Sequence, residues 1–277
     1  MSTTIAAGAR PTVAREELTP PLPPRIEKRE RLVSLDVFRG MTVAGMLLVN
    51  DPGSWDHIYL PLEHASWHGW TPTDLVFPFF LFIAGVTTHI SLSGRVARGD
   101  DNGAIVRQIL RRGALIFLFG LIANAFPFYQ WGTIREIAHP SFWDRFAFRY
   151  EHLRIMGVLQ RIGIAYTFAA LLTLRTTFKQ QVAILVSLLV GYWIVMTALP
   201  VPDTGYYGLN VLDQPGMTMD AWLDRTILRV PHLWSGGGGV RDPEGLLSTV
   251  PAIGTAIFGI FAGRWIASPR SLAERLN

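Results

Sequence analysis

Apolar residues in this chain gather into long stretches separated by charged or proline-bearing segments, running approximately 33–49, 72–92, 113–128, 155–174, 182–199 and 246–267. A helix needs about 20 residues to cross a hydrocarbon core of ~30 Å, with some tolerance at either end. Each stretch meets that requirement, the third with help from flanking Leu110 or Tyr129. The pattern therefore predicts an all-α fold, a polytopic transmembrane helix bundle of about six spans. Residues 1–31, with prolines from Pro20 to Pro24 and mixed charge, show no apolar periodicity and read as a disordered tail. Residues 32–277 then form the transmembrane domain. The first stretch carries Asp36 and Arg39 within its first turns, unlike the uninterrupted core of a signal peptide, and is expected to stay in the mature protein.

Positive charge sets the expected orientation, because short cytoplasmic connections of membrane proteins are enriched in Lys and Arg. Arg25, Lys28, Arg29 and Arg31 precede the first span; Arg95, Arg98, Arg107, Arg111 and Arg112 join the second to the third; Arg175 and Lys179 join the fourth to the fifth. The alternate connections are longer and balanced by acids such as Glu136, Asp144, Asp213, Asp224 and Asp242. The amino terminus is thus expected in the cytoplasm, and Arg264, Arg270 and Arg275 return the chain there after an even number of crossings.

Composition agrees with this reading: 49% of residues are hydrophobic and 17% charged, more apolar surface than a soluble domain of 277 residues easily hides. The net charge of +4 does not imply nucleic acid, because the basic residues lie between apolar stretches rather than on one soluble face. With no cysteine, disulfides, thiolate metal sites and a cysteine nucleophile are excluded. The glycines Gly236 to Gly239 lack the Lys-Ser/Thr that a phosphate-cradling loop requires and read as a loop. Gly259 and Gly263, four apart, allow close approach of two helix backbones.

Ionisable residues within a span cost about 2.5–3.5 kcal/mol on insertion scales, so each calls for a reason. Asp36 and Arg39 share one face of the first helix at i and i+3, either as a structural pair or as part of an anion site. Arg154 and Arg161, seven apart, share a face of the fourth; Arg154 can reach the surface, whereas Arg161, about two turns inside, needs an acidic partner or an anionic ligand.

The loop between the first two helices holds His57, His64 and His68 among Trp55, Trp67 and Trp70, the tryptophans suiting an interfacial belt. Thr71-Pro72-Thr73-Asp74 opens the second helix, with Thr71 as N-cap and Asp74 closing a variant of the capping box, a structural role. His64 and His68 are spaced for joint metal ligation on a helix, but no third ligand stands at a recognisable spacing, and no metal is expected. A single imidazole acting as base or nucleophile is the more plausible chemistry, since it titrates near neutrality.

Four segments carry a resemblance: SLDVFRGMTVAGMLLVN (34–50), HASWHGWTPTDLVFPFFLFIAG (64–85), LRIMGVLQRIGIAY (153–166) and DPEGLLSTVPAIGT (242–255). Together they resemble the heparan-alpha-glucosaminide N-acetyltransferase family of transmembrane acyltransferases, including its bacterial members. The resemblance implies transfer of an acetyl group from cytoplasmic acetyl-CoA, as co-substrate, to the amine of a terminal glucosamine across the membrane. It places the active histidine on His64 and a functionally important asparagine on Asn50. His64 would serve as base or take the acetyl group itself; Asn50 could donate to the oxyanion. Arg39, paired with Asp36, and Arg111 and Arg112 are candidates for the nucleotide end, with Arg161 for substrate.

Relatives generally continue into several more transmembrane helices, so the resemblance also implies a truncated or misannotated reading frame, or a partner that supplies the rest; a homo-oligomer is a separate expectation. Two other function classes compete: a non-enzymatic carrier of a sugar derivative, lined by Arg161 and the Asp36/Arg39 pair, and an inactive fragment that only associates with membrane proteins. The expected setting is a bacterial cytoplasmic membrane, in contact with lipid, with an amino-sugar or cell-envelope glycan as acceptor.

Overall fold

The computed structural model describes residues 32–268; the expected tail over 1–31 and the basic residues Arg270 and Arg275 lie outside the described residues. Eight α-helices and no strand occur among the described residues: α1 (Val33–Asn50), α2 (Pro72–Ala97), α3 (Asn102–Ala125), α4 (Phe142–Glu151), α5 (Val158–Arg175), α6 (Phe178–Thr197), α7 (Met219–Ile227) and α8 (Thr249–Ile266). The all-α class holds. Four helices, α1, α2, α6 and α8, are long and apolar enough to cross a membrane. The third and fourth expected spans correspond to α3 and α5, which carry Arg107, Arg111 and Arg112, and Arg161 and Arg175, and fall short of that apolarity. The expected count of about six is therefore not confirmed: four of the described helices qualify on length and composition.

Local signals explain where the helices begin. Thr71 and Asp74 form the capping box foreseen for α2, and Thr177 with Gln180 forms another at α6. Asp101 Oδ2 accepts the Ala104 N–H at 2.7 Å, which starts α3 well before residue 113. Arg107, Arg111 and Arg112 are consequently on a helix, not in the connection where the apolar pattern placed them. Gly157 is the N-cap of α5, so Arg154 precedes the helix and Arg161 sits in its first turn, correcting the shared face expected for the two. Gly238 and Gly239 have φ of +65° and +70°, backbone that suits the loop reading of the glycine run.

The bundle is held by two glycine seams. Helices α2 and α8 run parallel, since Phe82 meets Gly259 and Val86 meets Gly263, while α3 and α5 run antiparallel, with Gly113 against Gly163 and Thr167 and Gly120 against Gln160. Leu81, Ala165, Ala169, Ala256 and Ile257 fill the core between α2, α5 and α8. By contrast α1 leans lightly on α2, through Phe38 against Phe79 at 5.6 Å and Gly45 against Val76, and leaves Val37, Met41 and Leu47 exposed. With α2 and α8 parallel and the intervening connections antiparallel, the starts of α2, α5 and α8 and the end of α1 fall at one end of the bundle.

A Cβ on Gly259 would lie 2.1 Å from the Phe82 carbonyl oxygen and 3.0 Å from the Gly85 Cα. Those atoms are backbone and cannot rotate away, so Gly259→Ala must push α2 and α8 apart. We expect a loss of about 2–3 kcal/mol, read as a lowered thermal unfolding midpoint in detergent. Gly191 on α6 has nothing within 4 Å of its Cβ position, and Gly191→Ala should instead be neutral or stabilising.

Candidate active site

The chain leaves α1 at Asn50 and returns to α2 through a loop whose geometry is set by one carboxylate. Asp74 Oδ2 accepts the N–H groups of Thr71 at 2.9 Å and Ala65 at 3.1 Å, while Thr71 Oγ1 donates to the Glu63 carbonyl at 2.6 Å. The other oxygen, Oδ1, accepts from His64 Nδ1 at 2.7 Å. Asp74 is therefore both the cap of α2 and the partner of His64, a second role that the capping pattern alone does not reveal. An ionised carboxylate only accepts, so this bond fixes the proton on Nδ1 and leaves Nε2 with a free lone pair. The imidazole remains 63% exposed, open to a substrate.

The rest of the loop is pinned to the segments that flank α7 on either side. Trp67 Nε1 donates to the Leu212 carbonyl, the Arg241 guanidinium lies 4.5 Å from the Trp67 ring centre, and His68 Nε2 meets Asp213 Oδ1 at 2.8 Å. His64 and His68 thus turn to different carboxylates, and among the described residues no three His, Asp or Glu side chains converge as metal ligands. Trp55 and Trp70 are exposed as an interfacial belt requires, whereas Trp67 is half-buried and hydrogen-bonded.

Beside this loop lies a cluster of buried charge. Arg154 grips buried Asp242 with Nε to Oδ2 at 2.9 Å and Nη2 to Oδ1 at 2.5 Å, and also pairs with Glu244. Asp242 in turn accepts the Trp234 and Glu244 N–H groups, each at 3.0 Å. Arg161 donates to the Pro243 carbonyl at 2.5 Å and to Ser248 Oγ, so a carbonyl and a hydroxyl, rather than a carboxylate, are its direct partners. Its guanidinium lies 5.7 Å from the Phe77 ring centre, and Phe77 is one turn along α2 from Asp74. Three of the four motif segments, 64–85, 153–166 and 242–255, thereby meet in one constellation. Asp242, Glu244 and Ser248 lie within a quoted motif, but nothing in their spacing identifies Arg154 and Arg161 as their partners.

The remaining expected site residues lie apart from this constellation. Asn50 is at the same end but donates its Nδ2 to Met46 O, on its own helix, at 2.8 Å. Asp36 and Arg39 pair at 3.5 Å three turns away on α1. Arg111 and Arg112 are exposed on α3, with the Arg112 guanidinium 5.0 Å from the Tyr166 ring centre.

Asp224 on α7 is fully buried: Oδ1 accepts the Leu246 N–H at 2.9 Å, while Oδ2 has no partner among the described residues. Burial pushes its carboxyl up to about 6; the Leu246 N–H opposes this, and the charges of Asp220 and Asp242 add to it. For an acid raised in the folded state, the stabilising contribution is full below the unfolded value near 4 and is lost as pH rises to about 6. The stability difference between wild type and Asp224→Asn should therefore shift against the wild type by on the order of 2 kcal/mol between pH 4 and pH 7, in paired melting curves.

Comparison with known proteins identifies the family. The family model described as "Heparan-alpha-glucosaminide N-acetyltransferase, catalytic" covers residues 31–275. Heparan-alpha-glucosaminide N-acetyltransferase of Homo sapiens is 32% identical over 282 residues, covering 88% of this chain and 39% of its own length. The Mus musculus protein of the same name is 30% identical over 279 residues, with 87% and 40% covered. The chain spans about two fifths of the length of these relatives. A match over residues 31–275 assigns the chain to the heparan-alpha-glucosaminide N-acetyltransferase family.

Proposed function

We propose that the protein is a membrane acetyltransferase that moves an acetyl group from acetyl-CoA to the amine of a terminal glucosamine or related amino sugar. The observation that carries this reading is the His64–Asp74 pair, an oriented imidazole with its second nitrogen open, within a match to an N-acetyltransferase family. The relatives' name supports an amino-sugar acceptor.

In the proposed reaction His64 Nε2 accepts a proton from the attacking amine, which must be uncharged to act as a nucleophile. The carbon–nitrogen bond forms as the carbon–sulfur bond of the thioester breaks, and the proton on His64 passes to the departing thiolate. Asp74 holds the ring in the tautomer that makes this possible and stabilises the imidazolium that results. Asn50 spends one amide hydrogen on Met46 and keeps a second, which we assign to the oxyanion at the thioester carbon. Arg161 acts as a positioning residue: by tying Pro243 and Ser248 to α5 it fixes the start of α8 beside the His64 loop.

The positive charge before α1 and at the facing ends of α2 and α3 supports a cytoplasmic amino terminus, with His64 on the far side and the donor's phosphates near Arg39, and the setting we propose is a bacterial inner membrane. Acetyl transfer from labelled acetyl-CoA to glucosamine by the purified, detergent-solubilised chain tests the proposal. Transfer dependent on His64 supports it; a folded chain that binds acetyl-CoA yet transfers nothing to glucosamine or to other amino sugars overturns it.

A further inference from the structure

Arg111 and Arg112 open a groove that runs along the seam between α3 and α5. The groove has a volume of about 490 Å³, within the range of small-molecule sites, and beyond the two arginines its wall is formed by Gln108, Leu115, Ile116, Phe119 and Leu159. Arg112, Leu115, Ile116 and Phe119 fall at i, i+3, i+4 and i+7, one stripe of α3. The guanidiniums thus stand at one end of an apolar channel that extends about 10 Å along the helix from Arg112 to Phe119.

Neither guanidinium has a carboxylate partner among the described residues, although Arg95 and Arg154 on neighbouring segments are each paired with acids. Arg112 is steadied instead by the Tyr166 ring on α5. Both unneutralised guanidiniums line the groove, where each can meet phosphate oxygens, and the cost of holding them beside apolar surface falls when an anion binds. Beyond Gln108, whose Oε1 accepts from Arg95, the wall offers aliphatic and aromatic carbon, which suits a hydrocarbon chain better than the amides of a pantetheine arm.

We propose that this groove binds the phosphate of an acidic membrane lipid at Arg111 and Arg112, with one acyl chain lying along Leu115, Ile116 and Phe119. A lipid phosphate thereby takes the place of the donor's nucleotide end, expected for these two residues on charge alone. The inference rests on the membrane location of the chain and stands or falls independently of the acetyl-transfer reading.

The test is binding of phosphatidylglycerol and of phosphatidylcholine to the full chain in detergent, counted by native mass spectrometry. Each arginine close to a phosphate contributes about fivefold, so Arg111→Gln/Arg112→Gln should weaken phosphatidylglycerol retention by about thirtyfold and leave phosphatidylcholine unchanged. Arg107→Gln removes one positive charge from α3 outside the groove and should have no effect, against about fivefold for Arg112→Gln alone; Phe119→Ser should weaken retention while keeping both arginines. Equal retention of the two lipids, a loss in Arg107→Gln as large as in Arg112→Gln, or displacement of phosphatidylglycerol by acetyl-CoA would overturn the proposal, the last by handing the groove to the donor. Melting temperatures of the variants confirm that each remains folded.

Discussion

Replacing His64 by alanine is expected to lower acetyl transfer by about 100- to 10,000-fold, the usual contribution of a positioned general base, with little change in stability because the side chain is largely exposed. Asp74→Asn is the sharper experiment. Its side-chain oxygen can still accept from Thr71 and Ala65 and so keep the start of α2, while its amide nitrogen turns to His64. The ring must then present Nδ1 as acceptor and carry its proton on Nε2, the atom that has to accept one from the substrate. The expected result is a fall in kcat of at least about 100-fold, with KM for the acceptor and the melting temperature nearly unchanged. Wild-type turnover in Asp74→Asn would show that the pair is a helix cap and nothing more. A residual rate in His64→Ala that rises when free imidazole is added would place the lost function on proton transfer.

That Asp74 escapes a reading of sequence has a physical cause. Its local signal, Thr71-Pro72-Thr73-Asp74, is satisfied completely by capping α2, so nothing in the pattern calls for another partner. His64 is ten residues away across a loop without periodicity, and only the backbone path through Glu63, Ala65 and Thr71 brings the two side chains together. Arg154 was misplaced for a related reason. Leu153, Ile155 and Met156 continue an apolar run into α5, while the start signal at Gly157 is a single residue. The early start of α3 was legible in Asp101, a good N-cap, but the following arginines break the hydropathy that sets the span. Arginine is a good helix former, and propensity with a cap outweighs the missing apolar periodicity. The glycine seam between α2 and α8 was the easiest feature to read, because Gly259 and Gly263 need only the helical repeat to fall on one face.

Removal of the Arg154 guanidinium should have the largest effect on stability. In Arg154→Ala the Asp242 side chain, with no exposed surface, is left beside Glu244 without the cation that both share. Breaking a buried pair from one side costs about 3–5 kcal/mol, because a desolvated charge remains, whereas an exposed pair contributes at most about 1 kcal/mol. Arg39→Ala, at a pair exposed by 43% and 35%, is therefore the matched control and should scarcely move the melting temperature. The loss at Arg154 should also reach the reaction. The turn from Asp242 to Ser248 supplies both partners of Arg161, so loosening it frees the start of α8 from α5 and from Phe77. Adding Asp242→Asn to Arg154→Ala removes one orphaned charge and should recover part of the stability. If the double variant is no more stable than Arg154→Ala, charge is not what makes the site costly, and packing of the guanidinium stem must account for the loss.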